Sequence, residues 1–289
     1  MTTLSFRLVD VFAAQPLSGN GLTVLVTEDP LPSELMQRLT VELRQFETIF
    51  LTPTEKPGRF RARVFTMEEE LDFAGHPVIG AAAVLHEIYA PGEASMSWNI
   101  DLNQQTVEVE SRWQENHVAV TMRQETPLFL GRVDSSSEAE FLGAFGLDPE
   151  DRAQGLPMEV VTTGLPYLIL PVTARGLTKA GIRTADLEER LARFGAKFAY
   201  VFDAHGREGR TWDNAGRVED IATGSAAGPA VGYLVRHGMA EAGDEVILSQ
   251  GRFAGRPSEM RLKMPAHGLF LSGEVRMIAR GGFDSSVVG

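Results

Sequence analysis

The sequence contains no cysteine in its 289 residues. That absence excludes disulfides, thiolate zinc centres, iron–sulfur ligation and thiol nucleophiles together. It also fits a reducing compartment. Positive charge is scarce as well: 27 Lys and Arg stand against 39 Asp and Glu, for a formal net charge of −12. Nucleic acid and anionic membrane surfaces select for a basic footprint, so neither is expected as a partner. Long apolar runs are missing. The longest, Ile79–Leu85 and Leu165–Val172, fall far short of the roughly 20 residues that cross a bilayer. Met1–Arg7 has no basic segment leading into an apolar run, so no secretory signal is expected. The expectation is a soluble, cytoplasmic protein.

Common cofactor signatures are absent too. No G-x-G-x-x-G joins a strand to a helix, and there is no G-x-x-x-x-G-K-[ST], so no nucleotide or flavin site is expected. His76, His86, His117, His205, His237 and His267 are scattered without paired helical spacing, so no metal is expected. There is no G-x-S-x-G elbow for a serine hydrolase.

What is present is β-rich. Runs with β-branched or aromatic residues and partial alternation predict strands at Leu4–Ala13, Leu22–Thr27, Thr48–Thr52, Phe60–Thr66, Thr106–Ser111 and Val118–Arg123. The same texture returns at Glu159–Thr163, Tyr167–Val172, Phe198–Asp203, Glu245–Ser249, Glu259–Met264 and Leu269–Ala279. Helices are few. Ser33 is placed to cap one with a stripe of Leu35, Leu39, Leu43 and Phe46, and Thr184 another with Leu187, Leu191 and Phe194. Two more start at glycine-rich turns, near His76 and near Ser225.

Those two turns point to an internal repeat. Asp72-Phe73-Ala74-Gly75-His76-Pro77 and Asp220-Ile221-Ala222-Thr223-Gly224-Ser225 each lead into a small-residue helix, with Gly75 and Gly224 149 positions apart. Gly19-Asn20-Gly21 and Gly164-Leu165-Pro166 lie 145 apart, and the two capped helices keep the same order. Two similar α+β halves are therefore expected. The stretch Gln124–Glu140, with Pro127, Gly131 and Asp134-Ser135-Ser136-Ser137-Glu138, has the composition of a linker between them. Asp284–Gly289 shows no pattern and is expected to fray.

A helix that starts at a glycine-rich turn offers unpaired N–H groups and a positive dipole end to an anion. Two such turns, one per half, would grip a small carboxylate across a cleft. Glu47 follows Phe46 and precedes Thr48-Ile49-Phe50-Leu51. Desolvation in that company raises a carboxyl pKa and suits it to carry a proton. The plainer alternatives are a surface glutamate at a helix end, glycines that only permit tight turns, and an Asp220 that only caps its helix.

Together these motifs resemble the phenazine-biosynthesis PhzF-like family. The two signature turns carry the resemblance, with Gly19-Asn20 and Glu47-Thr48-Ile49-Phe50 in matching places, and it spans Val9 to about Phe283. It departs at Gly21, Val78 and Ile221, where the family usually carries proline, a small hydroxyl residue and proline. The resemblance implies the diaminopimelate epimerase-like fold, α+β, with two pseudo-symmetric halves, each a β-barrel-like sheet around a central helix. It implies halves at residues 1–125 and 126–271, with a C-terminal strand at about 272–283 returning to the first. Related epimerases use one cysteine from each half, chemistry that this sequence excludes. The PhzF-like branch instead uses one glutamate.

The resemblance thus implies a cofactor-independent isomerase, commonly a homodimer, acting on a small carboxylate-bearing substrate. Glu47, His76 and Asp220 take catalytic roles, while Asn20, Gly75, Gly224 and Ser225 bind substrate, with no metal. Two alternatives remain open from the residues: a non-thiol epimerase or racemase pairing Glu47 with Asp220, and a non-catalytic small-ligand binder on the same fold.

Overall fold

The computed structural model describes residues 4–72 and 75–288. Phe73 and Ala74, inside the first signature turn, lie outside the described residues. The chain divides into two compact units, residues 1–123 with 272–289 and residues 124–271.

The first unit holds β1 (Ser5–Val11), β2 (Asn20–Val26), α1 (Ser33–Leu43), β3 (Glu47–Pro53), β4 (Arg59–Phe65), β5 (Glu70–Leu71), α2 (His76–Tyr89), β6 (Ser95–Asp101), β7 (Thr106–Trp113) and β8 (Val118–Gln124). The second contributes β9 (Leu128–Arg132), α3 (Ser135–Ala144), β10 (Glu159–Thr162), β11 (Pro166–Pro171), α4 (Ala174–Lys179), α5 (Leu187–Ala192), β12 (Phe198–Asp203), β13 (Glu208–Trp212), β14 (Glu219–Asp220), α6 (Gly224–Arg236), β15 (Glu245–Gln250) and β16 (Ser258–Lys263). The long β17 (Leu269–Gly282) and the short α7 (Ser285–Val288) follow.

In the first unit the pairings close a ring of eight strands. From β1 the order runs through β2, β3, β4, β6, β7 and β8 to β17, which pairs back on β1 from Ser5↔Gly282 to Val11↔Val275. Parallel neighbours need a long crossover. Accordingly α1 bridges the parallel pair β2–β3, and α2 bridges β4–β6. Strand β7 shows a half-buried alternation, with Val107, Val109 and Ser111 inward. Strands β2 and β3 are buried almost throughout. Leu25 and Phe50 pack with Met36 and Leu39 of α1, while the inner side meets α2. Every residue of α2 from His76 to His86 is buried, as a helix inside a barrel requires. At Gly80 an added Cβ would lie 2.4 Å from Leu22 Cδ2, so glycine lets α2 approach β2.

The second unit repeats the pairing pattern. The pairs β1–β2, β2–β3, β3–β4, β4–β5, β4–β6 and β6–β7 have counterparts in β10–β11, β11–β12, β12–β13, β13–β14, β13–β15 and β15–β16, each with the same sense. Helix α6 is buried from Gly224 to Leu234 and packs on β10, β11 and β16. A large core of Phe141, Phe145, Leu168, Leu170, Leu187, Leu191 and Val201 joins α3 and α5 to the sheet.

Three local expectations are corrected. The supposed linker contains β9 and the start of α3, because the Asp134 carboxylate accepts the N–H groups of Ser136 and Ser137 and starts a helix there. Ser33 is the first helical residue rather than a cap; its hydroxyl accepts from Arg63 Nη2 at 3.0 Å. Thr184 does not cap either, since its hydroxyl bonds Asp186, the residue before α5. The C-terminus carries the turn of α7, with the Asp284 carboxylate accepting Ser286 N–H at 2.9 Å.

Candidate active site

Two strands and a helix of the first unit begin at one place. Strands β2 and β3 run parallel with Leu22 opposite Glu47, so their N-terminal ends, Asn20 and Glu47, share one edge of the barrel. Gly19, at φ 68°, makes the reversal into Asn20; an added Cβ there would lie 2.4 Å from Val11 O. The Asp10 carboxylate steadies the same loop by accepting Leu17 N–H at 2.8 Å. Helix α1 ends at Arg44 in the left-handed conformation, which turns the chain into β3. Helix α2 opens with His76 after Gly75, and Pro77 suits the first turn, where no N–H bond is lost.

These starts bring three polar side chains into contact inside a barrel. His76 Nδ1 lies 3.4 Å from Glu47 Oε2 and 3.4 Å from Asn20 Nδ2. Relative exposures are 4% for His76, 8% for Glu47 and 1% for Asn20. Burial pushes the imidazole down to about 3, so His76 is neutral at ordinary pH. A neutral ring offers one donor and one acceptor. Asn20 Nδ2 can only donate, so Nδ1 is the acceptor and the ring proton sits on Nε2. His76 Nε2 is buried without a hydrogen-bond partner among the described residues. His86 is the contrasting case: Nδ1 meets Ser111 Oγ at 2.8 Å and Nε2 meets Glu93 O at 2.9 Å, a satisfied core histidine.

The second unit gathers Asp220, Gly224 and Ser225 around the start of α6. Strand β14 is two residues long and turns them opposite ways. Glu219 forms a two-point pair with Arg210, at 2.8 and 2.7 Å. That guanidinium also donates to Leu177 O and Ala180 O and lies over the Trp212 and Phe253 rings. Asp220 is 6% exposed and accepts the Thr223 hydroxyl at 2.6 Å. Ser225 Oγ lies 2.8 Å from Tyr167 OH. Gly224 and Ser225 open α6, so their N–H groups have no partner within the helix.

The structure therefore collects the residues singled out in the sequence into two sets, Asn20, Glu47, Gly75 and His76 in the first unit and Asp220, Gly224 and Ser225 in the second. The sequence reading missed Tyr167, Gln124 and Gln250. Gln124 Nε2 donates to Gly224 O at 2.9 Å, and Gln250 bonds Thr223 and Asp220. Tyr167 directly follows Gly164-Leu165-Pro166, the second copy of the Gly19 landmark, a signal that points to it. A glutamine closing a strand carries none. Among the described residues, no group of three or more His, Asp or Glu side chains is arranged to hold a metal ion. No helix there is long and apolar enough to cross a membrane.

The closed barrel of the first unit, the same strand pairing repeated in the second, and the two helix starts define a class. A hydroxyproline epimerase from Agrobacterium vitis superposes with a TM-score of 0.61 at 12% identity, covering all of this chain and 94% of its own. That likeness establishes the diaminopimelate epimerase-like fold. At 45% identity, a predicted epimerase from Pseudomonas aeruginosa superposes with a TM-score of 0.93 over 97% of this chain and 99% of its own. A trans-2,3-dihydro-3-hydroxyanthranilate isomerase from Pseudomonas fluorescens is 33% identical over 273 residues, 90% of each chain. Residues 9–277 match the phenazine biosynthesis-like (PhzC-PhzF) protein family, and the chain belongs to it. It is an enzyme of the isomerase class.

Proposed function

We propose that the enzyme moves a proton from one carbon to another of a small, conjugated, carboxylate-bearing substrate, with Glu47 as sole carrier. The Glu47–His76 contact at 3.4 Å between buried groups is the observation that supports this most strongly. The Glu47 carboxylate takes a proton from carbon, the C–H electron pair enters the π system, and the double bond shifts. Glu47, now the acid, returns the proton to a second carbon, leaving the substrate isomerised and the enzyme unchanged. The reaction is redox-neutral and needs no cofactor. His76 and Asp220 bind or polarise the substrate, and Asn20 holds the imidazole through its amide. The N–H groups of Gly75, Gly224 and Ser225 take its carboxylate or a developing oxyanion.

The likeness to trans-2,3-dihydro-3-hydroxyanthranilate isomerase supports a cyclic hydroxylated amino acid as the first substrate to try. A shift rather than an inversion is favoured by the matching position in the second unit: Phe198 opens β12 as Glu47 opens β3, and it carries no base. Incubation in deuterated water, followed by NMR, tests the reading. Deuterium at a new carbon with a displaced double bond supports it. Exchange with inversion at one carbon gives the epimerase, and absence of exchange across the substrate class gives a binder. Glu47→Gln keeps volume but cannot return a proton, so turnover is expected to fall about 10²–10⁴-fold or more with an unchanged urea midpoint. Retention of more than a few per cent of turnover would refute the single-glutamate mechanism.

A further inference from the structure

We propose that Gln250 is a positioning residue for Asp220, acting through the Thr223 hydroxyl. Gln250 closes β15 and is 1% exposed. Its amide makes three bonds to one turn: Nε2 donates to Thr223 Oγ1 at 2.9 Å and to Asp220 O at 2.8 Å, and Oε1 accepts Thr223 N–H at 3.2 Å. Reversing the amide would set N–H against N–H and oxygen against two oxygens, so its orientation is fixed.

That orientation decides the direction of the next bond. A hydroxyl has one proton and ordinarily rotates to suit its surroundings. Because Gln250 Nε2 already donates to Thr223 Oγ1, the hydroxyl proton is committed to Asp220 Oδ2 at 2.6 Å. Amide, hydroxyl and carboxylate form a one-way chain, with all three residues buried. Bonds of this kind reinforce one another in a low-dielectric interior, and a hydrogen bond to the charged carboxylate favours the ionised form. Gln250 thereby fixes the rotamer and charge of Asp220 from the far side of the turn. Tyr200 also lies within electrostatic reach of Asp220, but burial, and then Asp220 itself, hold its phenol protonated through the working range.

The proposal rests on the reading that Asp220 acts on substrate, and two readouts separate them. The first needs no substrate: carbon-13 NMR titration of the Asp220 carboxyl in the full chain. Thr223→Val and Gln250→Met are expected to raise its midpoint by about one pH unit, the size of losing a bond to a charged carboxylate. Thr223→Ser is expected to restore the wild-type midpoint. Gln250→Leu, equally uncharged, is the second variant if Gln250→Met does not fold. A midpoint that moves in Thr223→Val but stays in every folded Gln250 variant overturns the proposal, as does one that moves in none. The second readout is turnover, where the acid limb of kcat should move with the NMR midpoint. Full turnover in Asp220→Asn would sink the assigned role of Asp220 while leaving the NMR result standing.

Discussion

At the scale of the residue, His76 carries the sharpest consequence. Its imidazole ordinarily titrates near 6.5, and burial takes it to about 3. Between these values the unfolded chain binds a proton that the folded chain refuses. The folded state therefore has its full advantage above pH 6.5 and loses it as pH falls toward 3. The expected slope is about 1.4 kcal/mol per pH unit for one proton. Urea unfolding of wild type and His76→Gln at pH 7, 6, 5 and 4 checks this, because the substitution removes the imidazole and keeps every other titratable group. The wild-type curve should fall more steeply, and parallel curves would contradict a buried neutral imidazole. The partners that face His76, Glu47 and Asn20, are unchanged by the substitution.

At the scale of the element, close approach sets the constraints. An added Cβ at Gly209 of β13 would lie 2.0 Å from Tyr200 Cζ, part of a rigid ring that is fully buried. Gly209→Ala is expected to cost about 1–3 kcal/mol through overpacking. Gly131→Ala in β9, with nothing within 4 Å of its new Cβ, should change stability little. The Tyr200 hydroxyl is buried without a hydrogen-bond partner among the described residues, so Tyr200→Phe should be neutral or stabilising. A lower melting temperature for Tyr200→Phe would mean that the hydroxyl has a partner in solution. These elements also explain what the sequence announces and what it hides. Strands such as β7 and β16 are readable because one face is wet and one dry, which imprints a period of two. The two-residue strands β5 and β14 are too short for any period. The run Asp134–Glu138 looks like a linker, yet its aspartate satisfies the first amides of a helix. In the site, Glu47, His76 and Asp220 stand out through their motifs, but Gln250 depends on a three-dimensional partner that no local pattern encodes.

At the scale of the whole molecule, the first unit is built from segments far apart in the chain. Strand β17 supplies the partner of β1 and of β8, and Thr121 Oγ1 meets Ser272 Oγ at 2.8 Å along that seam. A closed barrel leaves no strand edge bare. A chain ending at Leu271 is therefore expected to lose slow amide exchange across residues 5–11 and 118–123 and to aggregate. Native protection of those amides in the shortened chain would show that the ring does not need its last strand. The ring also sets an order of events at the ribosome. Ser5 is made early, but its partner Gly282 comes 277 residues later. At about 5–20 residues per second, the first strand waits roughly 15–55 s with its edge bare, while the entire second unit emerges between them. Completion of the barrel that carries Glu47 is thus timed by the far end of the message, and a nascent chain stalled short of it presents a sticky, incomplete cylinder to whatever chaperone attends the exit tunnel.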